Sequence, residues 1–452
     1  MAVMQQKMPS IDDLSTNDDS IRLMEIELAQ PLPIIKAFDE KTGHSYRRVH
    51  CLIRLHTQPL GMVALSLIES ELHPEQYAQP IWLSLSKKIT EHLRIDGVQP
   101  ITELTAHGLP GFNTPRCIEE RERFLADAPF VSVIISTRDR PEQLAITLHS
   151  LLSLRYPRYE IIVVNNAPSS SATEEYMLKT FSHDPVVRYV REDRRGLAWG
   201  RNCGMMTAKG EILVFTDDDV VVDQYWLAEL VRGFDRAEDV VCVTGLILSL
   251  ELETPAQLLY EQRGGSSRGF TRRVFDQVAR HVHLYKSGQF GSGANMAFKR
   301  SFLRSVKGFD QALGAGTPAQ AAEETAAFFQ VILHGHKIVY EPSALLYHPP
   351  YRNYAALRKQ IYGYGVGFTA YLLKSVLDHP YLLFDLFIKV PRDLFFQGIG
   401  LSQRNSKRAK QYPKELAWLE RKGMLYGPLA YIQSRGMTRK MRQKAFLRND
   451  QA

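Results

Sequence analysis

The chain has 452 residues, of which 44% are hydrophobic and 23% are charged, an ordinary globular composition that excludes wholesale disorder. Its four cysteines, Cys51, Cys117, Cys203 and Cys242, are scattered without a C-x-x-C pair, so we expect free thiols in a reducing compartment and no cysteine-bound zinc. The start resembles no secretory leader, and no run of eighteen residues is free of charge. A cytoplasmic protein without a transmembrane helix is therefore predicted.

The first quarter of the chain carries no pattern typical of an active site. Residues 1–20 are polar and acidic and are predicted to be disordered. Residues 21–125 contain alternating strand-like runs and a helix-like stretch, which predict a small α+β domain of unknown role. Its histidines His50, His56 and His107 lack metal-ligand spacing, so we expect an ordinary structural or surface role for each.

From Phe130 onwards, buried strands alternate with helices. Four apolar strands are predicted over 130–137, 159–166, 186–192 and 211–219. Apolar strands without alternation, joined by helices, predict an α/β domain whose mostly parallel sheet is covered by helices on both faces. In such sheets, ligands bind beyond the carboxyl ends of the strands.

A polar cluster lies at the end of each of these four strands. The clusters are Thr137–Arg140, Asn165–Asn166, Glu192–Arg195 and Asp217–Asp219. Because the carboxyl ends of parallel strands meet at one edge, we expect the clusters to converge on one site. The three adjacent carboxylates repel one another, and Mg²⁺ or Mn²⁺ with a diphosphate would neutralise them. A solvated turn with Asp as a cap is the alternative for the Asp cluster alone.

Three further features follow along the chain. They are the glycine-rich segment FGSGANMAFKR (290–300), the pair Glu323-Glu324 at the start of a helix, and a strand ending at His348. Adjacent carboxylates suit the positive end of a helix dipole, whereas a carboxylate in a cleft can act as a general base. His348 would be structural by itself, but it could be a ligand if it faces a carboxylate-bound metal.

These motifs, from about Val131 to His348, together resemble the inverting family 2 glycosyltransferases with the GT-A fold. VSVIISTRDRPEQL resembles the opening strand and nucleotide-binding turn, and YEIIVVNN the second strand. RRGLAWGRNCGMMTAKGEILVFTDDDVVV is similar to the glycine-led helix and metal-binding D-x-D, and GSGANMAFKR to the acceptor-side loop. Two positions depart from the family: Asn165 replaces an Asp that recognises the base, and Glu323-Glu324 replaces Glu-Asp.

The resemblance implies a GT-A domain over 130–350, after the small α+β domain and before a helical, basic extension over 351–452. It implies a transferase that moves a sugar from a nucleoside-diphosphate sugar to an acceptor hydroxyl, with inversion, in polysaccharide or glycoconjugate synthesis. The implied cofactor is Mn²⁺ or Mg²⁺, and the implied partners are the nucleotide-sugar donor and a hydroxyl acceptor such as a saccharide or a lipid-linked saccharide.

The resemblance also implies roles for individual residues. Glu324 is expected to be the base, with Glu323 as the rival, and the metal is expected on Asp219, Asp217 and His348. Nucleotide-sugar binding is expected from Thr137, Arg138, Arg140, Asn165, Asn166, Gly196, Arg201, Asn202, Asp217 and Asp218. The loop facing acceptor and donor is expected at Gly293, Ala294 and Asn295.

The C-terminal extension allows two interpretations. Residues 381–401 are an apolar run interrupted by charges, and 403–452 hold 13 Lys or Arg against 3 Asp or Glu, so the tail carries +10 and the remainder −3 of the total +7. Peripheral contact with the cytoplasmic face of an anionic membrane would use both features. A packed helix with a solvated basic surface is the equally weighted alternative, and no nucleic-acid partner is expected.

The start of the helix predicted from residue 351 is also open to two interpretations. Arg352, Arg358 and Lys359 could touch the acceptor or the diphosphate, or belong to a solvated helix surface.

Two other functions stay open from the sequence. The departures at Asn165 and Glu324 allow a nucleotide-sugar-binding protein without catalysis. The Asp cluster allows a metal-dependent phosphohydrolase or nucleotidyltransferase, although an aspartyl-nucleophile phosphohydrolase would carry its D-x-D after the first strand rather than the fourth. The sugar, the base and the oligomeric state are not predicted.

Overall fold

The structure is a computed structural model that describes residues 20–40, 43–109, 114–277, 284, 287–384 and 413–449. The prediction of disorder over 1–20 lies outside the described residues except at Ser20. Most of the apolar run 381–401 and the first part of the basic tail also lie outside them.

The N-terminal part is a small α+β unit with its own hydrophobic cluster. Its strands are β1 (Ile21–Glu27), β2 (Ile35–Lys36), β3 (Phe38–Asp39), β4 (His44–Ser45), β5 (Arg48–Leu55), β6 (Gln58–Ser66) and β7 (Glu71–Leu72). Its helices are α1 (Pro74–Ile95) and α2 (Arg116–Ala126). β5 lies between a parallel β1 and an antiparallel β6, while β2 pairs with β7 and β3 with β4. Tyr77, Ile81 and Ile89 recur at helical spacing along α1 and pack into this cluster, which fixes the helix on the sheet.

The second unit is built on a nine-stranded sheet. Its strands are β8 (Val131–Thr137), β9 (Tyr159–Asn166), β10 (Val187–Glu192), β11 (Ile212–Thr216), β12 (Val221–Val222), β13 (Val240–Ser249), β14 (Arg273–Phe275), β15 (Met296–Lys299) and β16 (Lys337–His348). The helices are α3 (Pro141–Leu152), α4 (Ala172–Phe181), α5 (Leu197–Thr207), α6 (Trp226–Arg232), α7 (Pro255–Arg263), α8 (Arg300–Ser305) and α9 (Glu323–Leu333). Two long helices follow, α10 (Tyr354–Asp378) and α11 (Lys414–Asn449).

The strand order is β10-β9-β8-β11-β15-β13-β16-β12, with β14 also paired to β16. The first four strands in this order are parallel, as predicted. β15 lies antiparallel between β11 and β13, and β12 and β14 are antiparallel to β16. The prediction of a parallel sheet therefore holds for this half, β13 and β16 form one further parallel pair, and the whole sheet is mixed.

Successive residues of the parallel strands enter two different hydrophobic clusters, one on each face of the sheet. In β8, Val133 and Ile135 face the cluster that includes α3 and Trp226, whereas Ile134 faces the phenylalanine-rich cluster around Phe298. A strand buried on both faces needs apolar residues at every position, which explains the continuous runs in the sequence.

The two C-terminal helices pack tightly against each other and against the second unit. A Cβ atom at Gly365 would lie 2.0 Å from the Glu420 carbonyl oxygen, so only glycine allows the helices to approach this closely. Tyr431 of α11 donates to Asp310 at 2.9 Å, and the Ser434 hydroxyl accepts from the Ala319 amide at 3.1 Å. Helix α11 thus supports the segment that precedes α9. Among the described residues, the structure contains no helix long and apolar enough to cross a membrane.

Candidate active site

A cleft of ≈ 1180 Å³ opens at the carboxyl ends of the parallel strands. Members of all four polar clusters line it, together with residues from the glycine-rich segment, the start of α9 and the end of β16. The predicted residues that line it are Thr137, Arg138, Arg140, Asn166, Gly196, Arg201, Asp217, Asp218, Asp219, Gly293, Ala294, Glu323, Glu324 and His348. The topology brings them together because β8, β9 and β11 are adjacent and end at the same edge.

The three aspartates after β11 lie beside Arg140, Arg201 and His348, and Arg201 is 3.4 Å from Asp217. Asp218 is 6% exposed and accepts hydrogen bonds from the Thr137 hydroxyl at 2.6 Å and from Arg140 at 3.2 Å. Asp219 lies 3.2 Å from Arg140 and 3.1 Å from the Nε2 atom of His348. Asp217 lies 3.8 Å from the same Nε2 atom.

These contacts shift the pKa values of the neighbouring carboxylates Asp218 and Asp219 in opposite directions. Burial, with a further contribution from Asp219, raises the pKa of Asp218 to about 6 although the Thr137 hydrogen bond opposes this. Burial also acts to raise the pKa of Asp219, but the hydrogen bond and charge of His348 and the charge of Arg140 outweigh it, so that pKa is lowered. Burial acts to lower the pKa of His348, and its contact with Asp219 reverses this and raises it.

One oxygen of Asp217, one oxygen of Asp219 and one ring nitrogen of His348 lie within 4.8 Å of one another. Two carboxylates and one imidazole form a donor set that fits a divalent cation, because oxygen ligands suit Mg²⁺ and Mn²⁺ and a neutral imidazole can complete the set. All three residues line the cleft, so a cation that they held would be accessible to a diphosphate.

The two glutamates at the start of α9 occupy different environments. Glu323 is 3% exposed and accepts a 2.8 Å hydrogen bond from Arg201, which is equally buried and also donates to the Gly293 carbonyl oxygen at 3.0 Å. Burial and the charge of Glu324 raise the pKa of Glu323, while Arg201 opposes the rise. Glu324 is partly exposed, and the structure gives its carboxylate a contact of 3.5 Å from the Thr325 hydroxyl. Glu323 is therefore engaged in an ion pair, whereas Glu324 faces the cleft.

The loops at the edge of the cleft are held by hydrogen bonds and strained backbone. Asp139 and Ala167 have positive φ values of 55° and 48°, uncommon for residues other than glycine. The Asp139 carboxylate accepts from both the amide and the hydroxyl of Ser169, and Arg138 donates to the Ala167 carbonyl oxygen at 2.9 Å. These bonds join the loop after β8 to the loop after β9.

Helix α5 begins at the cleft, where Gly196 has a φ of 140°. Its amide donates to Asn166 at 3.0 Å, and a Cβ atom at Gly316 would lie 3.1 Å from its Cα atom. Two loops can thus meet closely above the positive end of a helix, a position that favours an anionic group.

Three residues predicted for the site do not line the cleft but hold the framework. Asn202 is bonded to both backbone groups of Phe309, and Asn295 is bonded to the Trp226 indole and to two carbonyl oxygens. Asn165 is fully buried and donates to the Tyr189 hydroxyl at 3.1 Å. Asn165 and Asn166 point to opposite faces because side chains alternate along β9, so only Asn166 reaches the cleft.

The cleft also contains aromatic and polar residues that the strand pattern did not reveal. They are Tyr260, Tyr351, Gln360 and Tyr364. Helix α10 contributes Ala356, Lys359, Gln360, Gly363 and Tyr364, whose spacing of three and four residues was a signal for one helix face. Lys359 thus lines the cleft, whereas Arg352 pairs with Glu251 and Glu253 and Arg358 pairs with Glu415.

Comparison with known proteins decides the family. Residues 132–306 match the model of Glycosyl transferase family 2. Residues 132–306 form a family 2 glycosyltransferase domain. Its nine-stranded mixed sheet, flanked by helices, is the GT-A fold of these enzymes, and the resemblance noted in the sequence is confirmed.

Three relatives of this glycosyltransferase each align with about half of the chain. The glucosyl-dolichyl phosphate glucuronosyltransferase of Haloferax volcanii is 24% identical over 48% of this chain and 68% of its own. The O-antigen biosynthesis protein RfbC of Myxococcus xanthus is 27% identical over 50% of this chain and 17% of its own. The poly-β-1,6-N-acetyl-D-glucosamine synthase of Staphylococcus epidermidis is 26% identical over 48% of each chain.

Among solved structures, a mannosyltransferase of Pyrobaculum calidifontis in complex with GDP-Man and Mn²⁺ is 18% identical. That match has a TM-score of 0.42 and covers 71% of this chain and 92% of the other.

Proposed function

We propose that this glycosyltransferase transfers a sugar from a nucleoside-diphosphate sugar to an acceptor hydroxyl with inversion at the anomeric carbon. The observation that carries the proposal is that one cleft contains both a potential cation site and a partly exposed carboxylate. The cation site is formed by Asp217, Asp219 and His348, and the carboxylate is that of Glu324 at the start of α9. A bound cation would stabilise the departing diphosphate, and the carboxylate can accept the proton of the attacking hydroxyl.

On the donor side, the residues after β8 and β9 bind the nucleoside, and the start of α5 lies beside the diphosphate. Arg138 and Asn166 line the part of the cleft next to Thr137, and Arg140 supplies positive charge beside the aspartates. The amide end of α5 adds a second source of positive potential. The Asn166 side chain accepts from the Gly196 amide and donates to the Arg194 carbonyl oxygen, so it holds the loop before α5 beside the proposed nucleoside position.

Asp217, Asp219 and His348 would hold the cation, Mn²⁺ or Mg²⁺. When bound, it stabilises the negative charge that develops on the departing diphosphate. The imidazole must be neutral to act as a ligand, so His348 would hold the cation through an unprotonated nitrogen. An imidazole donor favours Mn²⁺ over Mg²⁺, because Mg²⁺ prefers ligands that are all oxygen.

On the acceptor side, Glu324 acts as the general base. Its carboxylate takes the proton of the acceptor hydroxyl as the oxygen attacks the anomeric carbon. The bond from that carbon to the diphosphate oxygen breaks, and the electron pair leaves with the nucleoside diphosphate. Attack from the face opposite the leaving group gives inversion in a single displacement. Glu323, held by Arg201, fixes the start of α9 and so positions its neighbour.

The acceptor is proposed to be a saccharide, free or lipid-linked, in polysaccharide or glycoconjugate synthesis. Tyr260, Tyr351 and Tyr364 line the cleft, and tyrosine rings combine an apolar face for a sugar ring with a hydroxyl for its polar edge. The named activity of the Haloferax volcanii relative, on a glucosylated dolichyl phosphate, supports a lipid-linked saccharide as one candidate.

A cytoplasmic location with peripheral membrane contact fits such an acceptor, supported by the basic C-terminal tail. Flotation with vesicles of neutral and of anionic lipid tests this contact. Binding that is the same for both compositions, or absent from both, would rule out an electrostatic attachment.

A donor screen by thermal shift tests the proposed function. Nucleotide sugars are added to the full chain with Mn²⁺, with Mg²⁺ or with chelator, and one donor is expected to raise Tm only with a cation. Asp219→Asn should remove this shift, whereas Glu324→Gln should keep it. Binding without transfer or hydrolysis would support the non-catalytic alternative, and release of inorganic phosphate from simple nucleotides would support a phosphohydrolase.

A further inference from the structure

A second group of potential metal ligands lies in the N-terminal unit, and none of its members lines the cleft. The Nδ1 atom of His56 is 3.1 Å from the Nε2 atom of His92 and 2.6 Å from an Asp96 carboxylate oxygen. The Cys117 thiol lies 3.0 Å from that same oxygen, and His92 lies 3.1 Å from it. One atom of each of the four residues falls within 4.8 Å of the others. All four donor atoms therefore face a common point.

We propose that this cluster binds a structural zinc ion through His56, His92, Asp96 and Cys117. Two imidazoles, a thiolate and a carboxylate are all accepted zinc ligands, and four protein ligands make a closed tetrahedral site. The side chains of His56, His92 and Asp96 are 5%, 10% and 1% exposed, so the site leaves little access for a substrate or a catalytic water. A closed, buried set with a thiolate favours zinc over the magnesium-like ions proposed for the cleft.

The separations between donors are slightly short for an occupied site. Zinc bonds of about 2.0 Å to nitrogen or oxygen and about 2.3 Å to sulfur place tetrahedral ligands about 3.3–3.6 Å apart. Zinc binding therefore requires the distances between the donor atoms to increase by a few tenths of an ångström. The Asp96 carboxylate is already held from the other side, since its second oxygen accepts from the Cys117 amide at 3.0 Å.

The turn that presents His56 supports a ligand role. Residues 56 and 57 form the two-residue turn between β5 and β6, because Leu55 pairs with Gln58. Both have positive φ, 53° for His56 and 69° for Thr57, as a type I′ turn requires. Asparagine and glycine are the favoured residues in such a turn, and a β-branched threonine is disfavoured there. The Glu27 carboxylate accepts from both turn amides and holds this costly conformation.

The four ligands come from three elements that the ion would tie together. His56 lies in the β5–β6 turn, His92 and Asp96 lie one helical turn apart at the end of α1, and Cys117 is near the start of α2. Helix α2 continues to the second unit, where Arg121 donates to Thr57 at 2.8 Å and lies 3.7 Å from Glu229 of α6. The zinc would thus fix the N-terminal sheet, α1 and the helix that leads to the glycosyltransferase domain.

This proposal opposes the expectation, drawn from the cysteine spacing, that no zinc is bound through cysteine. His56 and His92 are 36 residues apart, and Cys117 follows Asp96 by 21 residues, so the four ligands do not form a short sequence motif. Only the pair His92 and Asp96 has the four-residue spacing of ligands on one helix face.

Metal analysis of the full chain, purified without chelator, tests the proposal. We expect about one zinc per chain that survives dialysis, and a loss of thermal stability when a strong chelator removes it. Cys117→Ser should lose the zinc, while the matched control Cys51→Ser, at a buried cysteine of the same unit, should keep it. Asp219→Asn with His348→Ala should also keep it, which separates this ion from any bound in the cleft.

A serine at position 117 could still donate to Asp96, so a cluster held only by hydrogen bonds would tolerate this change. Substoichiometric zinc in the wild type, with chelator-insensitive stability and a Cys117→Ser variant as stable as wild type, would overturn the proposal. If Cys117→Ser does not fold, cobalt substitution of the wild type decides. A thiolate-to-cobalt charge-transfer band supports the site, and its absence refutes it.

Discussion

Arg201 and Glu323 form a buried pair, and we expect the loss of the Glu323 charge to change protein stability differently from the loss of the Arg201 charge. The two side chains are each 3% exposed and joined by a 2.8 Å hydrogen bond. Glu323→Gln keeps the shape of the site but leaves the guanidinium buried without its carboxylate. Arg201→Met leaves the carboxylate, which can bind a proton, whereas the guanidinium cannot release one.

The expected magnitudes follow from this asymmetry. Removing one partner of a buried ion pair costs about 3–5 kcal/mol, and we expect Glu323→Gln to come nearest to this range at the acid end, near pH 5. For a domain of this size that corresponds to a fall in Tm of about 6–20 °C. Near pH 5, Arg201→Met should lower the free energy of unfolding by less than Glu323→Gln does. The folded-state pKa of Glu323 is raised above its unfolded value, so protonation stabilises the fold at low pH and that contribution is lost as the pH rises.

Thermal and urea unfolding of both variants between pH 5 and pH 8 measures these effects. The stability difference between Arg201→Met and wild type should widen with increasing pH. The difference between Glu323→Gln and wild type should narrow, because only wild type carries the titrating carboxylate. Equal stability of Glu323→Gln and wild type at pH 5, or a larger loss in Arg201→Met than in Glu323→Gln at pH 5, would refute the reasoning.

Three further predictions concern the cation site, a buried carboxylate and the C-terminal helices. Asp219→Asn should reduce sugar transfer by at least about 10²-fold and abolish its dependence on added Mn²⁺, measured as nucleoside diphosphate released. Burial acts to raise the pKa of Glu160, but hydrogen bonds from Ser132, Arg188 and the Lys209 amide lower it, so its stabilising contribution is lost as the pH falls. Glu160→Gln should cost about 1–3 kcal/mol at pH 7, and the gap to wild type should shrink below about pH 4; a constant gap would contradict this. A Cβ atom at Gly427 would lie 2.0 Å from the Thr369 hydroxyl and 2.4 Å from the Val366 carbonyl oxygen, so Gly427→Ala should cost about 1–3 kcal/mol. A Cβ atom at Gly436, in the same helix, would contact nothing within 4 Å, so Gly436→Ala should stabilise by about 0.5–1 kcal/mol in urea unfolding.

The position of the site was predictable because it depends on local patterns. The runs 130–137, 159–166 and 186–192 became β8, β9 and β10 with bounds shifted by at most one residue. The fourth run, 211–219, ends as a strand at Thr216, which leaves the three aspartates in the turn beyond it. Parallel strands that are adjacent in space must end at the same edge, so the polar residues after them met in the cleft.

Contacts between distant parts of the chain were not predictable from these patterns. The antiparallel insertion of β15 between β11 and β13 depends on tertiary pairing, as does the link between Arg201 and Glu323 across 122 residues. Asn165 does not line the cleft for a simple reason, since two adjacent asparagines on a strand face opposite sides and only one can reach a given cleft.

Turnover by variants at the two glutamates tests the central proposal most directly. Donor binding and nucleoside diphosphate release are measured for wild type, Glu324→Gln and Glu324→Asp, with the donor and cation found by the thermal-shift screen and a saccharide acceptor. We predict that Glu324→Gln binds the donor as wild type does but transfers sugar about 10²–10⁴-fold more slowly, while Glu324→Asp retains part of the activity. Wild-type turnover in Glu324→Gln would contradict the assignment of Glu324 as the base.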